Sequence, residues 1–174
     1  MKTNKAFTLI EILVVVLIIG ILAAIAVPQY QVAVGKSKFS TIKNIARSIR
    51  DACEVYYLAN GEYPSEYSKM DISLPGISYT TSNAKDFAIY FQNGDLCIVW
   101  YPETTQDSIA CQTNINEVIT RYYLSLSRSQ SNGSSCLTYS TNQNNTSNKV
   151  CKQETGNTTA DFCSNEKGYC RYSY

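Results

Sequence analysis

The sequence predicts an α+β fold, in which a long amino-terminal helix packs against a small antiparallel β-sheet and a disulfide-rich carboxy-terminal loop region follows. Three observations predict it. An apolar run over residues 7–27 continues into an amphipathic stretch that ends near Leu58. Short β-prone runs come next, and Asn93-Gly94 between two of them is a strong hairpin signal. The cysteines then concentrate in a tail rich in Ser, Thr and Asn, which favours disulfides in an oxidising compartment.

The composition excludes most enzyme classes. The 174 residues include no histidine, so the chain has no Ser-His-Asp site, no Cys-His site and no His-ligated metal. The seven cysteines lack the close CxxC pairs of zinc sites. A formal net charge of +1 provides no basic field for nucleic acid. We therefore predict no catalytic residue, no metal, no cofactor and no nucleic-acid partner.

The amino-terminal segment is suited to a membrane. Lys2 and Lys5 precede the apolar run, which places the amino terminus in the cytoplasm by the positive-inside rule. As a helix, residues 7–27 cover about 32 Å, close to the ~30 Å of a bilayer's hydrocarbon core. Glu11 is the one ionisable side chain in the run. Its burial in lipid costs about 2.5 to 3.5 kcal/mol, unless it reaches water or is protonated, so we expect a compensating partner.

Two processing schemes fit this segment. In one, a secretory signal peptide ends at the small-x-small site Ala24-Ile25-Ala26 and releases a soluble protein, which leaves Glu11 unexplained. In the other, a short basic leader is removed after Ala6 and the apolar run remains as the first half of a long helix.

Residues 6–30, AFTLIEILVVVLIIGILAAIAVPQY, closely resemble the amino-terminal signature of type IV pilins and of the pseudopilins of type II secretion. The resemblance implies that prepilin peptidase cuts between Ala6 and Phe7 and that the new amino terminus is methylated. It also implies that Glu11 meets the Phe7 amine of a neighbouring subunit. The family usually has Gly before the cut, so Ala6 is a departure. In filaments of the family the stretch matching Gly20 to Pro28 is often partly unwound; a simple kink is the alternative in a free subunit.

This resemblance implies a division of the chain into a cleaved leader (1–6), a transmembrane and filament-core helix (7–28), and an amphipathic helix half with a globular head (29–174). The polar, cysteine-bracketed tail is residues 127–174. The implied partners are identical or related pilin subunits, prepilin peptidase, an inner-membrane assembly platform and membrane lipid. The implied location is a single pass through the inner membrane before assembly, then a cell-surface or periplasm-spanning filament.

Three functions remain open in the sequence: a pilus subunit, a type II secretion pseudopilin and a freely secreted protein. Major pseudopilins often carry an acid-rich calcium loop near the carboxy terminus. This tail has only Glu154, Asp161 and Glu166 beyond residue 130, which favours a pilin.

The second half of the long helix presents an apolar stripe at spacings of three and four, and Asn60-Gly61 with Pro64 predicts its end. The segment YYLANGEYP around this end resembles the helix end of pilins and pseudopilins. The stripe consists of Ile42, Ile45, Ile49, Ala52 and Tyr56.

The head is predicted to contain a sheet and a second, short helix. The β-prone runs are residues 77–81, 87–92, 95–101 and 108–113. Apolar residues return to helical spacing between residues 114 and 127, where Asn114 and Glu117 are placed as a capping pair.

The tail is predicted to be an exposed, disulfide-bounded loop, because residues 127–148 are mostly Ser, Thr, Asn and Gln. Cysteine number alone leaves many pairings open. Cys136 and Cys151 bracket most of the polar region, and a bridge between them contributes about 3 kcal/mol in the chain-entropy model. A bridge between Cys163 and Cys170 would likewise close the carboxy-terminal loop. A pair of Cys97 with Cys111 is more weakly indicated and would leave Cys53 free.

Overall fold

The computed structural model describes residues 8–83, 86–101, 107–126 and 133–174 and confirms the α+β fold. One long helix is followed by strands that form a single antiparallel sheet, with a second helix inserted before the last two strands. The elements are α1 (Leu9–Asn60), a 3-10 turn (Tyr67–Lys69), β1 (Ile77–Ser82), β2 (Asp86–Phe91), β3 (Leu96–Trp100), β4 (Ser108–Ile115), β5 (Val118–Ser125), β6 (Ser134–Thr138), α2 (Thr146–Thr155), β7 (Phe162–Ser164) and β8 (Tyr169–Ser173).

Helix α1 has two halves with different surroundings. Its second half buries a stripe with alternating spacings of four and three residues, which keeps one face of a helix toward the core. Ile45, Ala52 and Tyr56, which the sequence included in the stripe, lie half-buried at its margin. Gly61 ends the helix in the left-handed conformation at φ 77°, as predicted, and donates its N–H to the Tyr57 carbonyl. The buried stripe is Gly35, Phe39, Ile42, Ala46, Ile49 and Cys53.

The sheet has the strand order β1-β2-β3-β4-β5-β6-β8-β7 over the described residues, and every adjacent pair is antiparallel. Its central strands β4 and β5 pack against α1. Phe39 of α1 meets Tyr122 of β5 edge-on, with ring centroids 6.0 Å apart. The predicted hairpin at Asn93-Gly94 is confirmed: Gly94 has φ 84° and donates to the Phe91 carbonyl between β2 and β3.

The predicted second helix over residues 114–127 is wrong. β4 and β5 form a hairpin there, and its turn places Asn116 and Glu117 at φ 47° and 65°. The buried residues of this segment follow a period of two: Thr120, Tyr122 and Leu124 are buried on the side that faces α1. Pairing with β4 supplies a full ladder of backbone hydrogen bonds, whereas a short helix is marginal by itself.

The polar tail is not a loop. Residues 127–132 lie outside the described part of the chain, but β6, α2, β7 and β8 are all built from tail residues. The buried Asn148 of α2 explains how so polar a segment folds. Its Oδ1 accepts hydrogen bonds from Thr138 and Tyr172, both at 2.7 Å, and its Nδ2 donates to the carbonyls of Ser140 and Asn142. Fully satisfied polar groups can be buried at little cost.

Three disulfides connect these elements, in the three pairs that the sequence favoured. Cys97–Cys111 joins directly opposed positions of β3 and β4. Cys136–Cys151 ties β6 to α2. Cys163–Cys170 closes the β7–β8 hairpin. Cys53 is free and buried against the sheet.

Candidate assembly helix and its junction with the head

The start of α1 is a complete capping box. Thr8 is the N-cap, and its backbone N–H and hydroxyl donate to Glu11 Oε2 at 2.8 and 2.7 Å. The Glu11 N–H donates back to Thr8 Oγ1 at 3.3 Å. Within the subunit, Glu11 therefore already has a local partner that also holds the first turn of the helix. Ala6 and Phe7 lie outside the described residues.

This box was missed in the sequence, although its signal was present. Thr8-x-x-Glu11 before an apolar run is the standard capping-box pattern. The same pattern at Asn114 and Glu117 predicts a helix, but strand β5 follows there instead.

In the described part of the chain, the first half of α1 leaves its apolar surface exposed. Every residue from Leu9 to Gln31 is exposed, and Leu9 and Ile10 expose 77% and 68% of their surface. By length and composition, α1 is the one helix among the described residues that can cross a membrane, although a signal sequence near the amino terminus passes the same test. An exposed apolar surface of this extent is typical of a segment that contacts a membrane or another protein.

Gly20 and Pro28 are both inside the continuous helix. No neighbouring atom lies within 4 Å of the position that a Gly20 Cβ would occupy. Pro28 removes one backbone donor but does not end the helix, which runs on to Asn60. The subunit therefore has an uninterrupted helix where the family resemblance implied unwinding on assembly. Glu11, Gly20 and Pro28 are spread along one continuous helix, so these three predicted assembly residues, all in the described part of the chain, do not form one cluster.

Gly35 marks the point where the head begins. A Cβ at this position would lie 2.9 Å from Ile115 Cγ2 and 2.9 Å from Val150 Cγ2. The helix therefore approaches the end of β4 and the middle of α2 as closely as only glycine allows. Two polar contacts lie beside this approach: Lys38 Nζ donates to the Asn114 carbonyl, and Asn116 Nδ2 donates to Thr146 Oγ1.

Lys43 connects α1 to α2 and to Tyr174 of the tail. Its Nζ lies 3.2 Å from Glu154 Oε2 of α2 and 4.5 Å from the centroid of the Tyr174 ring. Partial burial alone would lower the pKa of Lys43, but Tyr174 and Glu154 together raise that pKa above its usual value. The carboxy-terminal residue is thus held against the helix.

Cys53 lies in an apolar environment near the far end of α1. Its Sγ is 3.5 Å from Met70 Sδ and 3.5 Å from the Tyr101 hydroxyl. Burial raises the pKa of Cys53 to about 11, and burial likewise raises the pKa of Tyr101. Such a thiol is a packing group, because the reactive thiolate is disfavoured.

Within the described residues, no group of three or more His, Cys, Asp or Glu side chains is placed to hold a metal ion. The features of this surface are instead an exposed apolar helix, a capped carboxylate at its start and a close-packed junction with the head. Such an arrangement is suited to association.

Comparison with known proteins agrees with this description. Residues 1–27 match the family model for the prokaryotic N-terminal methylation motif. The chain is 42% identical over 72 residues to fimbrial protein EcpC of Eikenella corrodens, which covers 41% of this chain and 47% of that protein. It is 42% identical over 80 residues to the type IV major fimbrial protein FimA of Dichelobacter nodosus, 46% of each chain.

A third relative is the type IV major pilin protein PilE1 of Neisseria gonorrhoeae, 36% identical over 72 residues, 41% of this chain and 44% of that one. The chain spans about half the length of these relatives. No solved structure matches it. The chain thus carries the prokaryotic N-terminal methylation motif and is related, over somewhat less than half of its length, to type IV fimbrial and pilin proteins.

Proposed function

We propose that this protein is a structural subunit of a type IV pilus-like surface filament that polymerises through α1. The observation that carries the proposal is that one continuous 52-residue helix has two halves with different surroundings. Its first half exposes all its apolar side chains, while its second half forms the core of the head. A helix of this kind can be stored in a membrane and later packed against identical helices, because lipid and neighbouring apolar side chains both cover the same surface.

In this proposal, prepilin peptidase removes residues 1–6 and methylates Phe7, and the subunit waits as a single-pass inner-membrane protein. An inner-membrane assembly platform then transfers it into the filament. The Phe7 amine of one subunit meets Glu11 of another, since two ions that are costly in an apolar medium attract strongly there.

A type II secretion pseudopilin is the second candidate. The tail acids favour the pilin, because two of them already have partners in the head. Glu154 pairs with Lys43, and Asp161 accepts a hydrogen bond from the Ser173 backbone. The relatives carry fimbrial and pilin names.

The secreted alternative requires cleavage after Ala26. Such cleavage would remove Glu11 and most of the exposed apolar half of α1. Cleavage there would also leave the head's core helix with no anchor and the Thr8–Glu11 box with no purpose.

The mature amino terminus tests this proposal. We expect the intact mass of protein from the membrane fraction to show loss of residues 1–6 and one added methyl group. A matched variant, Ala6→Gly, restores the residue usual in the family and should be processed at the same bond, at least as fast. A mature terminus at Val27 would contradict the filament proposal.

A further inference from the structure

A groove opens on the side of the head that adjoins the apolar half of α1. It has a volume of about 450 Å³, within the range of small-ligand sites. One wall is a single face of α1 immediately after the apolar run, and the other is α2. Besides Pro28, its lining is Gln29, Val32, Ala33, Lys36, Lys149 and Gln153.

We propose that this groove binds the headgroup of an anionic phospholipid, with Lys36 and Lys149 holding the phosphodiester. The inference rests on the proposed function in one respect, namely that α1 spans the inner membrane before assembly.

The position of the groove along α1 supports a lipid. If the apolar run fills the ~30 Å hydrocarbon core, the helix leaves it near Val27. The headgroup layer adds roughly 5 to 8 Å on each side, and Lys36 lies about 13 Å beyond Val27. Side chains on a helix lean toward its amino terminus, so Lys36 leans toward the membrane. The groove therefore overlaps the outer headgroup layer.

The charges of the groove support an anion. Across the described residues, neither Lys36 nor Lys149 takes part in a salt bridge or a side-chain hydrogen bond, whereas the nearby Lys43 pairs with Glu154. Glu117, in the β4–β5 turn, is not part of the lining. Two lysines without carboxylate partners, beside a membrane surface, attract a negatively charged headgroup.

The remaining lining distinguishes a phospholipid from a free phosphate ion. Val32 and Ala33 provide an apolar wall that continues into the lipid-facing half of α1. This wall suits the glycerol backbone and the start of an acyl chain, which inorganic phosphate lacks. The amides of Gln29 and Gln153 can hydrogen-bond to ester and hydroxyl oxygens.

A lipid titration with matched charge variants tests the proposal. The full chain, in detergent, is titrated with phosphatidylglycerol or phosphatidylcholine, and bound lipid is counted by native mass spectrometry. The double variant Lys36→Gln/Lys149→Gln removes both groove lysines. The control, Arg47→Gln/Lys152→Gln, removes the same charge from the same two helices outside the groove.

We expect the parent chain to bind one phosphatidylglycerol in preference to phosphatidylcholine. The groove variant should bind it about ten- to thirtyfold more weakly, and the control should change less than threefold. Equal losses in both variants would overturn the proposal in favour of general surface attraction. So would the absence of headgroup preference in the parent, or full displacement of lipid by millimolar inorganic phosphate.

Two further outcomes would also overturn it. If the groove variant changes the ratio of monomer to dimer and leaves the lipid count unchanged, the groove seats a second copy of the chain. Alkaline extraction of the membrane fraction separates this failure from failure of the proposed function. A chain that resists extraction but shows no lipid preference refutes only the groove, whereas a chain that extracts freely refutes the membrane-spanning helix.

Discussion

At the scale of single residues, the Glu11 carboxylate has two roles. In the subunit it accepts from Thr8 and caps α1. In the proposed filament it also meets the Phe7 amine of a neighbour. The two roles are compatible because a carboxylate has two oxygens, and Glu11 Oε2 alone accepts both Thr8 hydrogen bonds.

Replacing Glu11 separates these roles. Glu11→Val should lose both the cap and the charge, and Glu11→Gln should keep an acceptor for Thr8 but lose the charge. Because removing one member of a buried ion pair costs about 3 to 5 kcal/mol, we expect both variants to remain in the membrane and to enter filaments poorly. An antibody to the head can compare sheared filaments with membrane-retained subunit in one preparation. Normal filament yield from Glu11→Gln would assign the residue to capping alone.

Gly35 is the second residue whose identity has a structural reason. Gly35→Ala should lower the free energy of unfolding of the head by about 1 kcal/mol. The added methyl overlaps Ile115 and Val150, which costs about 1 to 3 kcal/mol, and the gain in helix propensity offsets about 1 kcal/mol. Denaturant unfolding of the full chain in detergent measures the difference. Gly20→Ala, where the methyl meets no neighbour, is the control and should leave head stability unchanged.

At the scale of elements, α2 depends on the Cys136–Cys151 bridge and on Asn148. The helix has ten residues, few of them apolar, so it is too short to be stable alone. The bridge ties it to β6, and the Asn148 hydrogen bonds connect it to β6 and β8.

Removing the Cys136–Cys151 bridge should destabilise the head more than removing the Cys163–Cys170 bridge. Cys136→Ser/Cys151→Ser opens a 15-residue loop, worth about 3 kcal/mol, and places two hydroxyls in fully buried positions. Cys163→Ser/Cys170→Ser opens a 7-residue loop, worth about 2.4 kcal/mol in the same model. Denaturant midpoints of the two variants decide the order. The reverse order would show that α2 is held mainly by Asn148.

The elements also show what the sequence could predict. The ends of α1, the four strands from β1 to β4 and the Asn93-Gly94 turn follow from periodicity and local turn chemistry. The β5 strand and the tail do not, because their structure depends on partners distant in the chain. The Tyr122 ring packs against Phe39 of α1, and Asn148 Oδ1 accepts a hydrogen bond from the Tyr172 hydroxyl of β8. Local patterns contain no information about such pairings.

At the scale of the molecule, the head should lose stability at alkaline pH. The pKa of Cys53 is about 11 in the folded chain, against an ordinary value of 9.0. The unfolded chain therefore releases this proton first as pH rises, so folding stability falls between roughly pH 9 and 11, by up to about 3 kcal/mol. Lys43 acts in the same direction. Its pKa is raised in the folded chain, so its contribution to folding stability is present below the ordinary lysine pKa of 10.5 and is lost at higher pH.

Unfolding free energies measured from pH 7 to 10.5 should show this decline, and Cys53→Ala should make it shallower. The comparison uses the slope with pH, because the substitution also leaves a small cavity. In parallel, folded protein at pH 8 should resist thiol alkylation at Cys53, whereas unfolded protein should react. Equal slopes in parent and variant would assign the decline to Lys43 and the tyrosines.

The candidate site was less predictable than the fold. Glu11 and Pro28 were recognisable in the sequence because charge and proline are rare in an apolar helix. The close approach at Gly35 and the groove beside Lys36 were not. Both arise where α1 meets β4 and α2. The placement of α2 follows from long-range contacts of the tail.

The course of the disulfides has a mechanical consequence. All three connect elements of the sheet and α2, and Cys53, the cysteine that α1 contributes to the described chain, is free. The helix is thus held against the sheet by its buried stripe, the Lys43 contacts and the Gly35 junction, and no disulfide cross-links it to the sheet. A pull along α1 therefore loads these contacts in shear, all at once along the helix axis, while the cross-linked sheet carries little of the tension. Under enough force, α1 would separate from the sheet and the head would lose its core, while the three disulfides would still hold the strands and α2 together.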